Sequence, residues 1–171
     1  MAVVTYGASK IELGDFNPVD GSTSNFVEIP VYKDTFTMTE AEPNKTQHYQ
    51  QGRSNPRLER FNANPLDITF QIMDTDPDIL LKFLGGATAV VNTKNVWQAP
   101  KTKSEKTNAL KITCEDGSVI LVPKFNYYAR PNLTITDANI NLIDVSGSVN
   151  DTGFVGVPDI TWGEAGWDVA P

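Results

Sequence analysis

P-L-D-I-T-F-Q-I-M-D-T-D-P-D-I-L-L-K-F-L-G-G, from Pro65 to Gly86, holds a strand, a corner and a helix in one run. Between Leu66 and Ile72 the apolar residues alternate. Leu66, Ile68, Phe70 and Ile72 point one way, and Asp67, Thr69 and Gln71 point the other. A period of two belongs to a strand with one buried and one wet face. Asp76 then offers an N-cap, and Pro77 takes the first helical position, where its missing N–H costs nothing. Ile79, Leu80, Phe83 and Leu84 follow at helical spacing on one stripe. Gly85 and Gly86 end the helix, because glycine enters the left-handed region without a Cβ clash. A helix of about ten residues is marginal alone in water. Its stripe must pack, and the apolar face of the preceding strand is the nearest partner. The unit is read as the nucleus of a mostly β domain.

At 171 residues the chain suits one domain, with or without extended arms. A hydrophobic share of 40% makes a modest core for that length and places part of the chain in arms or long loops. The net charge of -7 argues against a nucleic-acid binder, which would show a basic stripe. It is compatible with a surface past which nucleic acid slides without being held. Cys114 is the only cysteine, which excludes an intrachain disulfide and a cysteine-based metal site. It continues the alternation of Leu110 and Ile112 and is read as a small buried hydrophobe. No stretch approaches the roughly 18 apolar residues of a membrane span. The start, M-A-V-V-T-Y-G, lacks the basic region and apolar core of a secretory signal. The expectation is a chain made in a cytoplasm, soluble there until it meets a partner, with no membrane contact.

Taken in order, Val3–Tyr6 and Lys10–Phe16 read as short extended pieces, and residues 17–25 as a turn-rich loop. Phe26–Tyr32 returns to an extended pattern, with Pro30 favouring an edge or a bulge. Thr35–Glu42 alternates, with Phe36 and Met38 on one face and Thr35, Thr37 and Thr39 on the other. Its apolar half fades at Glu40 and Glu42. Residues 43–64 are polar, with Tyr49, Leu58 and Phe61 as isolated anchors and Lys45, Arg53, Arg57 and Arg60 as cations. So long a polar excursion inside a compact domain is unusual. It is read as an arm that orders against another subunit, the basic residues suiting contact with acidic copies; a solvated loop is the alternative. Ala87–Pro100 is expected as a loop or short strand anchored by Val96 and Trp97, and Lys101–Lys106 as a linker. Asn108–Cys114 and Ser118–Lys124 form a hairpin through Glu115-Asp116-Gly117. Phe125–Pro131 brings aromatic residues and a turn. Asn132–Val149 is one long bulged strand, or two joined at Thr136-Asp137-Ala138, with a break at Ser146-Gly147. The Gly- and Pro-rich tail from Asp151 covers a sheet edge or a neighbour. Many short strands and one helix indicate a mainly β fold, a β-sandwich or barrel with one short flanking α-helix and a long loop or hairpin arm.

Chemistry is sparse. His48 is the lone histidine and sits in the polar excursion, so a triad or His-pair metal site has no partners. Asp74, Asp76 and Asp78 have the spacing that opens an EF-hand loop, but the Gly at position six and the Glu at position twelve are missing. Capping and the helix dipole explain Asp76 and Asp78 without a metal. No carboxylate pair is singled out for glycoside hydrolysis. Gly85-Gly86 follows a helix, whereas a phosphate-binding glycine loop precedes one. Tyr127, Tyr128 and Arg130 would serve as a stacking platform or as the closure of a core edge. The reading is not an enzyme, with no catalytic residues, no cofactor and no metal.

The order of features then carries a resemblance. T-M-T-E-A-E-P, L-D-I-T-F-Q-I-M-D and I-L-L-K-F-L-G-G, within Thr35–Gly86, resemble the tail tube (major tail) proteins of long-tailed bacteriophages. The resemblance implies a structural virion protein that self-assembles as hexameric rings stacked into the tail tube. Phage DNA passes through that tube without specific binding, and the subunits are assembled in the bacterial cytoplasm. It implies an arm reaching a neighbouring subunit or ring, and contacts with terminator, tape measure and sheath proteins. Glu40, Glu42, Asp67, Thr69 and Gln71 are the expected lumen-facing residues, an acidic wall that repels phosphate. Lys45, Tyr49, Arg53, Arg57, Leu58, Arg60 and Phe61 are the expected inter-subunit arm. The inner tubes of contractile injection and type VI systems share the fold and form the first alternative. A carbohydrate-binding β-sandwich, with Trp97, Tyr127, Tyr128 or Trp162 as its platform, is the second.

Overall fold

The computed structural model describes residues 6–168, so of the extended piece expected at Val3–Tyr6 all but Tyr6 lies outside the described residues. Along the chain run β1 (Ala8–Phe16), β2 (Thr23–Glu28), β3 (Thr37–Glu40), β4 (Asn44–Tyr49), β5 (Pro56–Asn62), β6 (Leu66–Ile72), the helix α1 (Pro77–Leu84), β7 (Ala87–Val91), β8 (Lys94–Gln98), β9 (Lys106–Cys114), β10 (Val119–Asn132), β11 (Leu142–Val149) and β12 (Thr161–Gly163). The protein is mainly β with one short helix, as expected, and its antiparallel main sheet curls into a half-barrel. The strand order is β2-β1-β9-β10-β11-β6-β3, with β12 paired to β10. The hairpins β4-β5 and β7-β8 form small sheets of their own. No helix among the described residues is long and apolar enough to cross a membrane.

The strand–corner–helix unit forms as its alternation predicts. Ile68, Phe70 and Ile72 are buried, while Asp67 and Thr69 are exposed. The Asp74 carboxylate accepts from the Asp76 N–H at 2.9 Å, and the Asp76 carboxylate accepts from the Asp78 N–H at 3.2 Å. The acidic corner is therefore engaged in turning the chain and capping α1. Asp76→Ala is expected to cost about 1 kcal/mol, read as a lower thermal midpoint; an unchanged midpoint would mean that the cap is replaced by solvent. Gly85 ends the helix at φ 75°, its N–H donating to the Leu81 carbonyl at 3.0 Å. The Lys106 ammonium donates to the carbonyls of Leu81 and Lys82 at 3.0 and 2.7 Å, a cation at the negative end of the helix dipole.

The partner of α1 differs from the expectation. The helix packs over β10 and against the β7-β8 hairpin, not on β6. Phe83 and Leu84 are buried, and the Phe83 ring lies 5.9 Å from that of Tyr127 on β10. Ile79 and Leu80 are half-buried at the margin of the core. The core lies on one face of the sheet and contains Leu13, Ile68, Phe70, Ile72, Leu110, Val122, Phe125, Ile143 and Val145. A chain of rings runs through it, with Phe36–Phe70, Phe70–Phe125 and Phe125–Tyr127 centroids at 5.8, 6.3 and 5.0 Å. Cys114 is buried there as expected.

Other stretches depart from the sequence reading. Ala87–Pro100 is a regular hairpin, turned by Asn92 and Thr93 at φ 50° and 65°. Two successive left-handed residues match the twist of the flanking strands. Thr93 is β-branched in a region that costs such residues about 1–2 kcal/mol, so Thr93→Gly is expected to raise stability by about 1 kcal/mol. Chemical denaturation measures this, and a lower midpoint would refute it. Phe125–Pro131 is not a turn but lies in the second half of β10. Pro123 is tolerated because the β9-β10 ladder shifts register between Val122 and Phe125. Asn132–Val149 is neither of the expected forms in full. Asn132 ends β10, residues 133–141 form a loop with a Thr136–Asn139 bridge, and β11 follows. Gly147 does not break β11. It lets β10 approach so closely that a Cβ would stand 2.2 Å from the Asn126 carbonyl oxygen. In the tail, β12 pairs with Val119–Leu121 and the Trp167 indole N–H donates to the Val119 carbonyl at 2.9 Å, so the tail covers the stretch of β10 that β11 leaves unpaired rather than an outer edge of the sheet.

Candidate assembly surface

Outside the core the fold presents a polar sheet face, two open sheet edges and an arm. The polar face follows from alternation and register together. Asp67, Thr69 and Gln71 of β6 stand opposite Ser148, Ser146 and Asp144 of β11. Ser146 and Asp144 in turn stand opposite Tyr128 and Arg130 of β10. On the other side of β6, the Thr37 and Thr69 hydroxyls are 2.6 Å apart. The Asp144 carboxylate gathers the group: Gln71 Nε2 donates to it at 2.7 Å, Asn132 Nδ2 at 3.1 Å, and Arg130 Nε lies at 3.6 Å. The same face continues onto β9 and β1, where Glu12 accepts ion pairs from Lys10 at 2.8 Å and Lys111 at 3.3 Å. Burial pushes the Glu12 carboxyl up, but the two ammonium groups outweigh it and hold it below the ordinary carboxylate range.

The fold brings together three of the five residues expected along a channel wall. Asp67, Thr69 and Gln71 share the polar face. Glu40 does not join them: it is paired with Leu66 and shares the side of Met38, opposite Thr37 and Thr39. Glu42 lies beyond the end of β3, where its carbonyl accepts from Asn64 Nδ2 at 2.6 Å. Asp144, Arg130, Tyr128 and Asn132 belong to the polar face and were not expected there. Only the pairing of β11 with β6 and β10 reveals them, and a non-local register leaves no mark in a single sequence.

The edges are β2 and β3, each hydrogen-bonded on one side only among the described residues. Neither strand, T-S-N-F-V-E or T-M-T-E, contains the lysine or proline that commonly guards an exposed edge. The half-barrel is also open at one mouth. There Ile11, Ile112 and Cys114 face Val31 and Phe36 across a groove of about 450 Å³.

The arm is the β4-β5 hairpin. It continues the β3-β6 pair past Pro43 and Pro65, whose missing N–H groups interrupt the ladder. Tyr49, Leu58 and Phe61 are 57%, 48% and 61% exposed, and none belongs to the core. One face of the hairpin is internally tied. Lys45 pairs with Glu59 at 2.5 Å and sits 5.5 Å from the Phe61 ring centroid. Gln47 Nε2 donates to Glu59 at 3.3 Å, and the Tyr49 hydroxyl donates to Gln47 at 2.7 Å. The opposite face carries Thr46, His48, Leu58 and Arg60.

The aromatic platform of the carbohydrate reading is not assembled. Tyr127 is in the core, and the half-buried Trp97 donates its indole N–H to the Gly85 carbonyl at 2.7 Å. Of the four rings, Tyr128 and Trp162 reach the surface. A scan against protein-family models and a search of curated proteins each return no match for this chain.

Proposed function

We propose that this chain is a structural subunit that self-assembles as stacked hexameric rings into a tube, as the tail tube protein of a bacteriophage virion through which DNA passes. The observation that carries the reading is the β4-β5 hairpin, an ordered arm of nineteen residues with exposed aromatic and aliphatic side chains and no core beneath it. An arm of that kind lowers no free energy by burial within its own chain. It becomes useful when a second subunit covers Tyr49, Leu58 and Phe61. The open β2 and β3 edges support the same reading, because strand addition satisfies both rows of free backbone groups and closes sheets of adjacent subunits into a ring.

The polar face is the proposed channel wall. Asp67, Asp144 and the hydroxyls of Thr37, Thr69 and Ser146 present acceptors and weak donors to water, and because β3, β6 and β11 bring Asp67 and Asp144 to this face and no cation, this part of it repels phosphate within about 10 Å at 0.1 M salt. Passing DNA therefore finds no strong binding site along it. Terminator, tape measure and sheath proteins are the expected heterologous partners, meeting the ends and the outside of the tube. Purified full-length protein examined by negative-stain electron microscopy and light scattering tests this. Rings or tubes are expected. A monomer under every condition of salt, pH and concentration would sink the proposal.

A further inference from the structure

The helix and the hairpin that follows it carry a concentration of cations. From Lys82 to Ser104 the chain has four lysines and no acid, although over its whole length 21 acids stand against 14 bases. Lys82 is half-buried near the end of α1. Lys94, Lys101 and Lys103 are exposed, and no ion pair or hydrogen bond of their ammonium groups occurs among the described residues. Lys94 stands opposite Val91 beside the β7-β8 turn, where Val90 and Val91 are 71% and 49% exposed. Lys101 and Lys103 lie on the return from β8 to β9.

Association of copies through their sheet edges leaves this surface uncovered. α1 packs over β10, three strands in from either edge of the sheet, and the hairpin packs on α1. α1 lies on the core side, where Phe83 meets Tyr127, and not on the polar face that carries Tyr128 and Arg130. Strand addition at β2 or β3 buries neither element. Resting on the self-assembly reading above, we infer that the β7-β8 hairpin and residues 99–105 after it form a docking surface on the outside of the tube for an acidic polypeptide other than this chain. Free ammonium groups complement carboxylates, and Val90 and Val91 receive apolar side chains set among them. Nucleic acid would meet the lysines but leave the valines without a partner. A lipid surface is commonly met by aromatic rings at its interface. Trp97, the one ring of this hairpin, is half-buried and donates its N–H to the Gly85 carbonyl at 2.7 Å.

A fluorescently labelled copolymer of glutamate and tyrosine serves as the probe, titrated by fluorescence anisotropy against the full-length chain. Salt at about 0.1 M and about 1 M compares screening lengths of about 10 Å and about 3 Å. The wild type is expected to bind at the lower salt and to weaken by tenfold or more at the higher. Lys94→Glu/Lys101→Glu/Lys103→Glu should weaken binding by tenfold or more at the lower salt, with an unchanged circular-dichroism spectrum. Val90→Ser/Val91→Ser should weaken the copolymer but not plain polyglutamate. Arg53→Glu/Arg57→Glu/Arg60→Glu changes the arm by the same number of charges and should weaken binding less. Carbodiimide coupling of probe carboxylates to lysine, mapped by mass spectrometry, should fall on Lys94, Lys101 or Lys103. Coupling spread evenly over all lysines, or an equal loss in the arm variant, would overturn the inference. Duplex DNA or phosphatidylglycerol vesicles bound through these lysines in preference to the copolymer would overturn it too. Rings should still form when the three lysines are replaced. Rings lost there alone would make the patch a contact between copies, overturning the inference and leaving the tube reading standing. Copolymer held by these lysines on a chain that never assembles would support the docking surface and overturn the tube.

Discussion

Excising Asn44–Asn62 and joining Pro43 to Ala63 through a two-residue turn is expected to leave a folded monomer that forms no tubes. The physical ground is a separation of tasks between the arm and the body. No arm residue contributes to the core cluster, and β4 and β5 hydrogen-bond to each other rather than to the main sheet. Its removal therefore takes away little burial that stabilises the body. Asn44 and Asn62 are directly paired, so a tight turn bridges the cut without moving β3 or β6. A stability change within about 1 kcal/mol corresponds to a thermal midpoint within about 2–4 °C of the wild type for a chain of this size. Assembly responds differently. It loses three exposed apolar anchors and three exposed arginines at once. Light scattering at concentrations where the wild type polymerises should stay at the monomer level. Tubes of normal appearance would show that the arm is not an assembly element. A collapse of the thermal midpoint would show instead that the arm supports the fold.

What could be read in the sequence is what depends on neighbours a few residues away. The alternation from Leu66 to Ile72, the cap at Asp76 and the stop at Gly85 are local, and each appears at its expected residue. The arm was legible for the same reason, since a polar excursion of twenty-two residues between good strands has to leave the core. The partner of α1 was not legible. Sequence proximity suggested β6, but Phe83 meets Tyr127, forty-four positions away, because β10 lies across the middle of the sheet. The polar face was half legible for a related reason. Asp67, Thr69 and Gln71 follow from one strand's period, whereas Asp144 joins them only through antiparallel register with Gln71. Pro123 and Pro131 made β10 look interrupted; a register shift absorbs the first, and the second stands at the strand's end opposite Ile143. Thr93 concealed a hairpin, since a β-branched residue is a poor advertisement for a left-handed turn.

The two faces of β6 are expected to answer mutation oppositely, and Phe70 gives the largest effect. Its ring is 2% exposed and lies between Phe36 and Phe125, with centroids at 5.8 and 6.3 Å. Phe70→Ala removes the middle of the ring chain and leaves a cavity between strands that cannot collapse, since β6 is pinned on one side by β11 and on the other by β3. The expected cost is about 3–5 kcal/mol, a drop in thermal midpoint on the order of 10 °C. Phe70→Leu keeps much of the volume and should cost clearly less. One residue earlier on the strand, Thr69→Ala removes a hydroxyl contact with Thr37 at an exposed site. It should change stability by no more than about 0.5–1 kcal/mol. Urea denaturation of the three variants measures the contrast. Comparable losses at Phe70 and Thr69 would mean that β6 is buried on both faces, and the polar side could then not line a channel. A large loss at Phe70 alone leaves Thr69 free of any duty to the fold, which is what a surface reserved for assembly or passage requires.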